Sequence, residues 1–152
     1  MMGVNFLLSL FFLVWAADVF AYFAGRSLGG KLTGGRKLAP AISPGKTWEG
    51  AWGGMLGVLV VALVWIAADR QLQPQDLSFF SRMAAAHGLA LTLLALVFLT
   101  VMSVVGDLAE SLVKRSAGVK DSSQILPGHG GVLDRVDALL PTLPLALMLV
   151  TM

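Results

Sequence analysis

Ala84-Ala-Ala-His-Gly-Leu-Ala-Leu-Thr-Leu-Leu-Ala-Leu-Val-Phe-Leu-Thr-Val-Met-Ser-Val-Val105 runs for 22 residues without an Asp, Glu, Lys or Arg. A helix needs about 20 such residues to cross the hydrocarbon core of a bilayer. Inside that core no water is available to backbone N–H and C=O groups, so a run of this kind crosses as a helix. Three more runs are near it in length and predominantly apolar: Val4–Ala24, Ala51–Ala68 and Val132–Met152. The expected fold class is all-α, a polytopic membrane protein with about four transmembrane helices. A soluble helical bundle would need polar stripes that these runs lack.

The composition agrees. Of the 152 residues 57% are hydrophobic and 13% charged, against about 25% charged in a soluble domain. A net charge of +2 gives no reason to expect nucleic acid as a partner. The absence of cysteine excludes disulfides and thiolate metal sites. The first run does not read as a secretory signal: it lacks a basic start, exceeds the usual apolar length and contains Asp18. No internal repeat or domain boundary is visible, so residues 1–152 are expected to form a single membrane-embedded catalytic domain.

Lys and Arg set the orientation. The polar segment from Gly25 to Gly50 holds Arg26, Lys31, Arg36, Lys37 and Lys46. The segment from Gly106 to Gly131 holds Lys114, Arg115 and Lys120, with Arg135 just beyond. The middle loop from Asp69 to Met83 holds only Arg70 and Arg82. Nine basic residues against two place the first and third segments in the cytoplasm, on one face, where together they can build one site.

The charge gathers where the third run ends. Asp107, Glu110 and Lys114 are spaced three and four apart and share a helix face. Asp134 and Asp137 open the last helix, where the helix dipole favours acids. Capping alone, however, requires neither Arg135 nor the glycines at 128, 130 and 131. Clustered carboxylates without sulfur favour Mg²⁺, so Asp107, Asp134 and Asp137 are the expected metal ligands and Glu110 a solvated or ion-paired acid. Lys114, Arg115, Lys120 and Arg135, with Lys46 from the first loop, would ring that metal. Acids, Mg²⁺ and a basic ring together suit a polyphosphate. Asp121 and His129 join the expected substrate-binding set, His129 among glycines whose N–H groups can form an anion nest. His87 lies at the far end of its run and receives no role.

Ser43-Pro-Gly-Lys-Thr-Trp-Glu-Gly50 looks like a P-loop but is not one. Pro40 stands where the pattern needs glycine, and no strand precedes it. Lys46 remains a phosphate contact and Trp48 an interfacial anchor. Asp18 lies inside an apolar run, where an acid is expensive and functional by default; pairing with Arg26 is the alternative.

The stretch Ser111-x-Val-Lys-Arg-x4-Lys-Asp-x-Ser-x2-Leu-Pro-Gly-His-Gly-Gly-Val-x-Asp-Arg-Val-Asp137 resembles the signature of the phosphatidate cytidylyltransferases, or CDP-diacylglycerol synthases. Asp18-Val-Phe-Ala-Tyr-Phe-Ala-Gly-Arg26 and Leu38-Ala-Pro-Ala-Ile-Ser-Pro-Gly-Lys-Thr-Trp-Glu-Gly50 are similar to that family's other motifs. The resemblance implies transfer of CMP from CTP to phosphatidate with Mg²⁺, with K⁺ as a second cation. It also implies a homodimer in the bacterial inner membrane with its active site facing the cytoplasm. It carries the metal-binding role over to Asp107 and Asp134, with Asp137 beside them, and makes Asp107, Asp134 and Lys114 the catalytic set. Members of the family are longer, with further spans ahead of this region, and carry a small hydroxyl where Val19 stands. A CTP-dependent lipid kinase, or a cytidylyltransferase for another lipid phosphate, would share the same metal and polyphosphate chemistry. A transporter or structural subunit would instead place polar residues through the depth of several spans.

Overall fold

The computed structural model describes residues 3–119, 122 and 133–152, the side chains of Asp134 and Arg135 excepted. In chain order the elements are α1 (Val4–Leu28), β1 (Lys37–Ala39), β2 (Ser43–Thr47), α2 (Trp48–Leu72), α3 (Phe79–Ser116), α4 (Leu133–Val136) and α5 (Leu139–Thr151). Helices α1, α2 and α3 are each long and apolar enough to cross a membrane. The all-α membrane architecture is therefore the one the apolar runs lead to.

Three differences from the sequence expectation matter. First, the Gly25–Gly50 segment is not a plain loop: β1 and β2 pair as an antiparallel hairpin, Lys37 opposite Thr47. Second, α3 does not stop at Val105. Of its 38 residues, those from 89 to 116 alone span about 42 Å at 1.5 Å each, more than a bilayer core of about 30 Å. Gly88 (φ 77°, ψ 166°) interrupts it near the start. Beyond Gly88 the helix runs on through Asp107 to Ser116, where Lys114 and Arg115 complement the dipole of the last turn. Third, the run Val132–Met152 is not one full span. It divides into α4 and a 13-residue α5, about 20 Å long and too short to cross alone. Pro141 favours a restart at this point: it has no N–H to give to the carbonyl of Asp137, and it stands in the first turn of α5, where that N–H is not needed; Pro144 is carried inside α5.

Helices α1 and α2 approach closely because α2 presents Gly50, Gly53, Gly54 and Gly57 to Ala17, Phe20, Ala21 and Ala24. Small residues at this spacing let transmembrane backbones meet. A Cβ at Gly54 would stand 2.6 Å from the Ala17 carbonyl oxygen. Gly106 does the same for α3 and α5: a Cβ there would lie 2.7 Å from both the Asp137 carbonyl oxygen and Pro141. That crossing brings Asp107 and Asp137 to one place. The apolar core between the helices includes Phe6, Leu10, Leu13, Val58, Phe79, Phe80, Leu96 and Leu99.

At the end opposite the hairpin a buried polar knot ties the three long helices. Asp69 Oδ2 accepts from Ser78 Oγ (2.5 Å), Ser81 Oγ (2.6 Å) and Ser78 N (3.1 Å). Asp69 Oδ1 accepts from Asn5 Nδ2 (3.2 Å), whose carbonyl in turn accepts from Trp65 Nε1 (3.2 Å). Ser9 Oγ caps the N–H of Phe79 at 2.9 Å. The sequence presented Asp69–Met83 as a plain connecting loop; here it is the joint that fixes α1, α2 and α3 together.

Candidate active site

The hairpin exists to the extent that it delivers β2 into α2. Thr47 ends the strand and caps the helix, its hydroxyl accepting from Gly50 N at 3.1 Å, the usual use of Thr at this position. Lys46, immediately before the cap, is thereby aimed from the hairpin at α3, where its Nζ forms an ion pair with Oδ2 of Asp107. Ser111 Oγ, one turn further along α3, lies 3.4 Å from Asp107 Oδ1. On the same face Glu110 Oε2 pairs with Lys114 Nζ at 2.8 Å, so the spacing of three and four read from the sequence is realised, and Glu110 is the ion-paired acid expected.

Asp137 arrives from the other side of the Gly106 crossing. Its Oδ1 accepts from Ala138 N at 2.7 Å. Burial pushes its carboxyl above the ordinary carboxylate range, and the negative charges of Asp107 and Asp18 push the same way, while the hydrogen bonds from Ala138 and with Glu110 oppose them. Asp18 completes the group from α1: its electrostatic neighbours are Asp107 and Lys46. Arg26, the alternative partner for Asp18, donates instead to the Tyr22 hydroxyl at 2.8 Å. Asp18 from α1, Asp107 and Glu110 from α3 and Asp137 from the α4–α5 turn thus form one electrostatic group, with Lys46 paired to Asp107 and Lys114 to Glu110.

Beside them opens a cavity of about 640 Å³ between α1, the hairpin, α2 and α3, within the range of ligand sites. Asp18 and Lys46 lie in its wall with Tyr22, Arg26, Lys37 and Thr47. Arg115 is exposed in the last turn of α3. Lys120, Asp121 and His129 lie outside the described residues, as do the side chains of Asp134 and Arg135; the backbone of the latter two forms α4, which leads directly into Asp137.

Among the described residues no three Asp, Glu or His side chains converge closely enough to hold a metal ion. The donor chemistry nevertheless fits a hard divalent cation. Asp107 and Asp137 offer carboxylate oxygens with no sulfur or imidazole beside them among the described residues, the donor set of a hard cation. Glu49 is the member that sequence reasoning passed over. It is 4% exposed and binds the Gly30–Thr33 turn behind the cavity wall. The available signal was an acid two residues after a helix cap and before a glycine-rich run.

The whole chain, residues 1–152, matches the model of the Cytidylyltransferase family. The phosphatidate cytidylyltransferase of Haemophilus influenzae is 46% identical over 142 residues, covering 93% of this chain and 44% of that protein. The phosphatidate cytidylyltransferase of Brucella abortus is 46% identical over 142 residues, covering 90% and 43%. That of Pseudomonas aeruginosa is 42% identical over 132 residues, covering 87% and 42%. The chain therefore spans less than half the length of these relatives.

Proposed function

Since the chain belongs to the cytidylyltransferase family, we propose that it carries the catalytic portion of an enzyme that transfers CMP from CTP to phosphatidate, giving CDP-diacylglycerol and pyrophosphate. The observation that carries this reading is the Lys46–Asp107 pair at the wall of a ligand-sized cavity, at one end of three membrane-crossing helices. That end bears the basic hairpin and, by the Lys and Arg bias, faces the cytoplasm of a bacterial inner membrane. There a soluble nucleotide and a bilayer lipid meet. Nucleic acid has no part in the reading, and a homodimer with K⁺ as second cation accompanies it.

In this reaction an oxygen of the lipid phosphate forms a bond to the α-phosphorus of CTP, and the α–β bridging bond breaks to release pyrophosphate. The second pKa of a phosphate monoester is ~6, so the nucleophile is largely dianionic at neutral pH and needs no strong general base. Asp107, Asp134 and Asp137 are the residues that would hold Mg²⁺, which when bound neutralises phosphate charge and orients the leaving group. Lys46 holds Asp107 from the hairpin side and is placed to turn to a lipid phosphate. Lys114 steadies Glu110 next to Asp137 and, with Arg115, Lys120, Asp121, His129 and Arg135, serves the nucleotide phosphates. Asp18 adds a negative charge beside Lys46 from α1. The residues act by positioning and by neutralising charge.

Label transfer in membranes containing the full-length protein tests the reading. Lipid product labelled from α-labelled CTP, dependent on Mg²⁺, is expected. Label arriving from γ-labelled CTP would make the protein a lipid kinase and overturn it.

A further inference from the structure

The geometry points to Glu49 as a positioning residue that sets the shape of the Gly29–Gly35 turn and, through it, one wall of the substrate cavity. The identity of what the cavity holds rests on the reaction proposed above; the geometry does not.

A carboxylate buried at 4% exposure is costly unless its oxygens are bound. Glu49 Oε1 is bound three times: by Gly30 N at 3.1 Å, Thr33 N at 3.0 Å and Thr33 Oγ1 at 2.8 Å. The turn it grips has little shape of its own. Gly30, Gly34 and Gly35 all stand at positive φ (87°, 66° and 83°), and glycines of this kind leave the unbound chain free to wander. Its backbone bonds, Gly29 N to Gly25 O at 3.0 Å and Lys31 N to Leu28 O at 2.9 Å, fix its start; Glu49 grips it further on, at Gly30 and Thr33. Gly29, Gly30 and Gly35 line the cavity next to Lys37 and Lys46, whereas Glu49 is not among the lining residues. Glu49 also lies in the first turn of α2, two residues after the Thr47 cap. It therefore fixes the turn to the helix end that carries Lys46, and the two walls keep one spacing.

The second carboxylate oxygen takes no part in the grip. Glu49 Oε2 is buried and has no hydrogen-bond partner among the described residues. The turn is held through Oε1 alone. Glu49→Gln keeps that acceptor but loses the charge that strengthens its three bonds and buries an amide group beside it, so it weakens the grip without abolishing it.

The test compares Glu49→Gln, Glu49→Ala and Thr33→Val in the full-length enzyme. It reads kcat, the KM for CTP and for phosphatidate, and amide hydrogen exchange at Gly30 and Thr33 without substrate. Three lost hydrogen bonds predict that Glu49→Ala raises at least one KM about ten-fold or more, with kcat moved less than about three-fold, and speeds exchange at both amides about ten-fold. Glu49→Gln, which keeps the acceptor but not the charge, and Thr33→Val, which loses one of the three donors, are both expected to fall between wild type and Glu49→Ala. Wild-type KM values in Glu49→Ala overturn the inference. So does a Glu49→Ala variant whose exchange at Gly30 and Thr33 matches wild type. Should Glu49→Ala fail to accumulate, Thr33→Val with unchanged exchange and unchanged KM overturns it equally. If the wild-type enzyme makes a different product, the substrate-free exchange still decides the positioning role.

Discussion

Lys46 and Asp107 stand 61 residues apart in the chain and meet as an ion pair. One comes from a hairpin strand, the other from a helix that has already left the apolar core. Neither is wholly buried: their side chains are 27% and 31% exposed. The pair is open to a ligand, and each partner keeps a charge that a phosphate or a cation can use.

Removing either partner should cost activity far more than stability. Asp107→Asn in the full-length enzyme is expected to lower CDP-diacylglycerol formation by about 10²-fold or more, the scale of losing a preorganised charge in a reacting site. Lys46→Met should lose a comparable amount, with the larger part in KM for phosphatidate. Wild-type turnover by Asp107→Asn, measured by label transfer from CTP, would sink its placement in the site.

Asp18→Asn tests whether the α1 acid belongs to this group. Its electrostatic neighbours are Asp107 and Lys46, so neutralising it should lower activity about ten-fold, less than the loss from Asp107→Asn. The loss should persist in detergent, away from any membrane potential. Equal activity with and without the charge would leave Asp18 as a residue of the helix seam alone.

Asp137 predicts a dependence on pH. Its folded pKa is raised above the unfolded value of about 3.9. Between those two values the folded state holds more protons than the unfolded state, so stability falls as pH rises through the window. At neutral pH the ionised carboxylate is a net cost. Asp137→Asn should therefore melt higher than wild type at pH ~7 without divalent cation, and the gap should close below about pH 4. Added Mg²⁺ should raise the wild-type midpoint and leave the variant unmoved. Differential scanning fluorimetry in detergent reads all three outcomes.

The knot around Asp69 predicts the reverse pattern, stability without chemistry. Asp69→Ala strands the donors of Asn5, Ser78 and Ser81. Each unmatched buried donor costs about 1–3 kcal/mol, so the variant should unfold well below wild type. Activity per folded molecule should change little, because the knot is at the far end from Lys46.

What the sequence could show follows from range. Long apolar runs speak locally, and α1, α2 and α3 were legible from them. The pairing of the first and third polar segments came from their Lys and Arg bias, and Lys46 indeed reaches Asp107. Other features depend on partners far away in the chain. Asp69 is held by Asn5 across 64 residues, and no local pattern announces that. The hairpin strand Lys37–Ala39 has three residues, too few to display an alternation. The division of the fourth run into α4 and α5 is a matter of backbone path that apolar length alone conceals. Glu49 carries no local sign of its three donors, which come from 16 and 19 residues away.

The knot at Asp69 has a further consequence. Three helices tied at one end form a bouquet: the stems cannot slide past one another, but the open end can spread. Between α1 and α2 the spread is limited by the glycine seam from Gly50 to Gly57, whereas the Lys46–Asp107 pair that ties the hairpin to α3 is partly exposed. Such play as the cavity end has therefore lies on the α3 side, away from the knot.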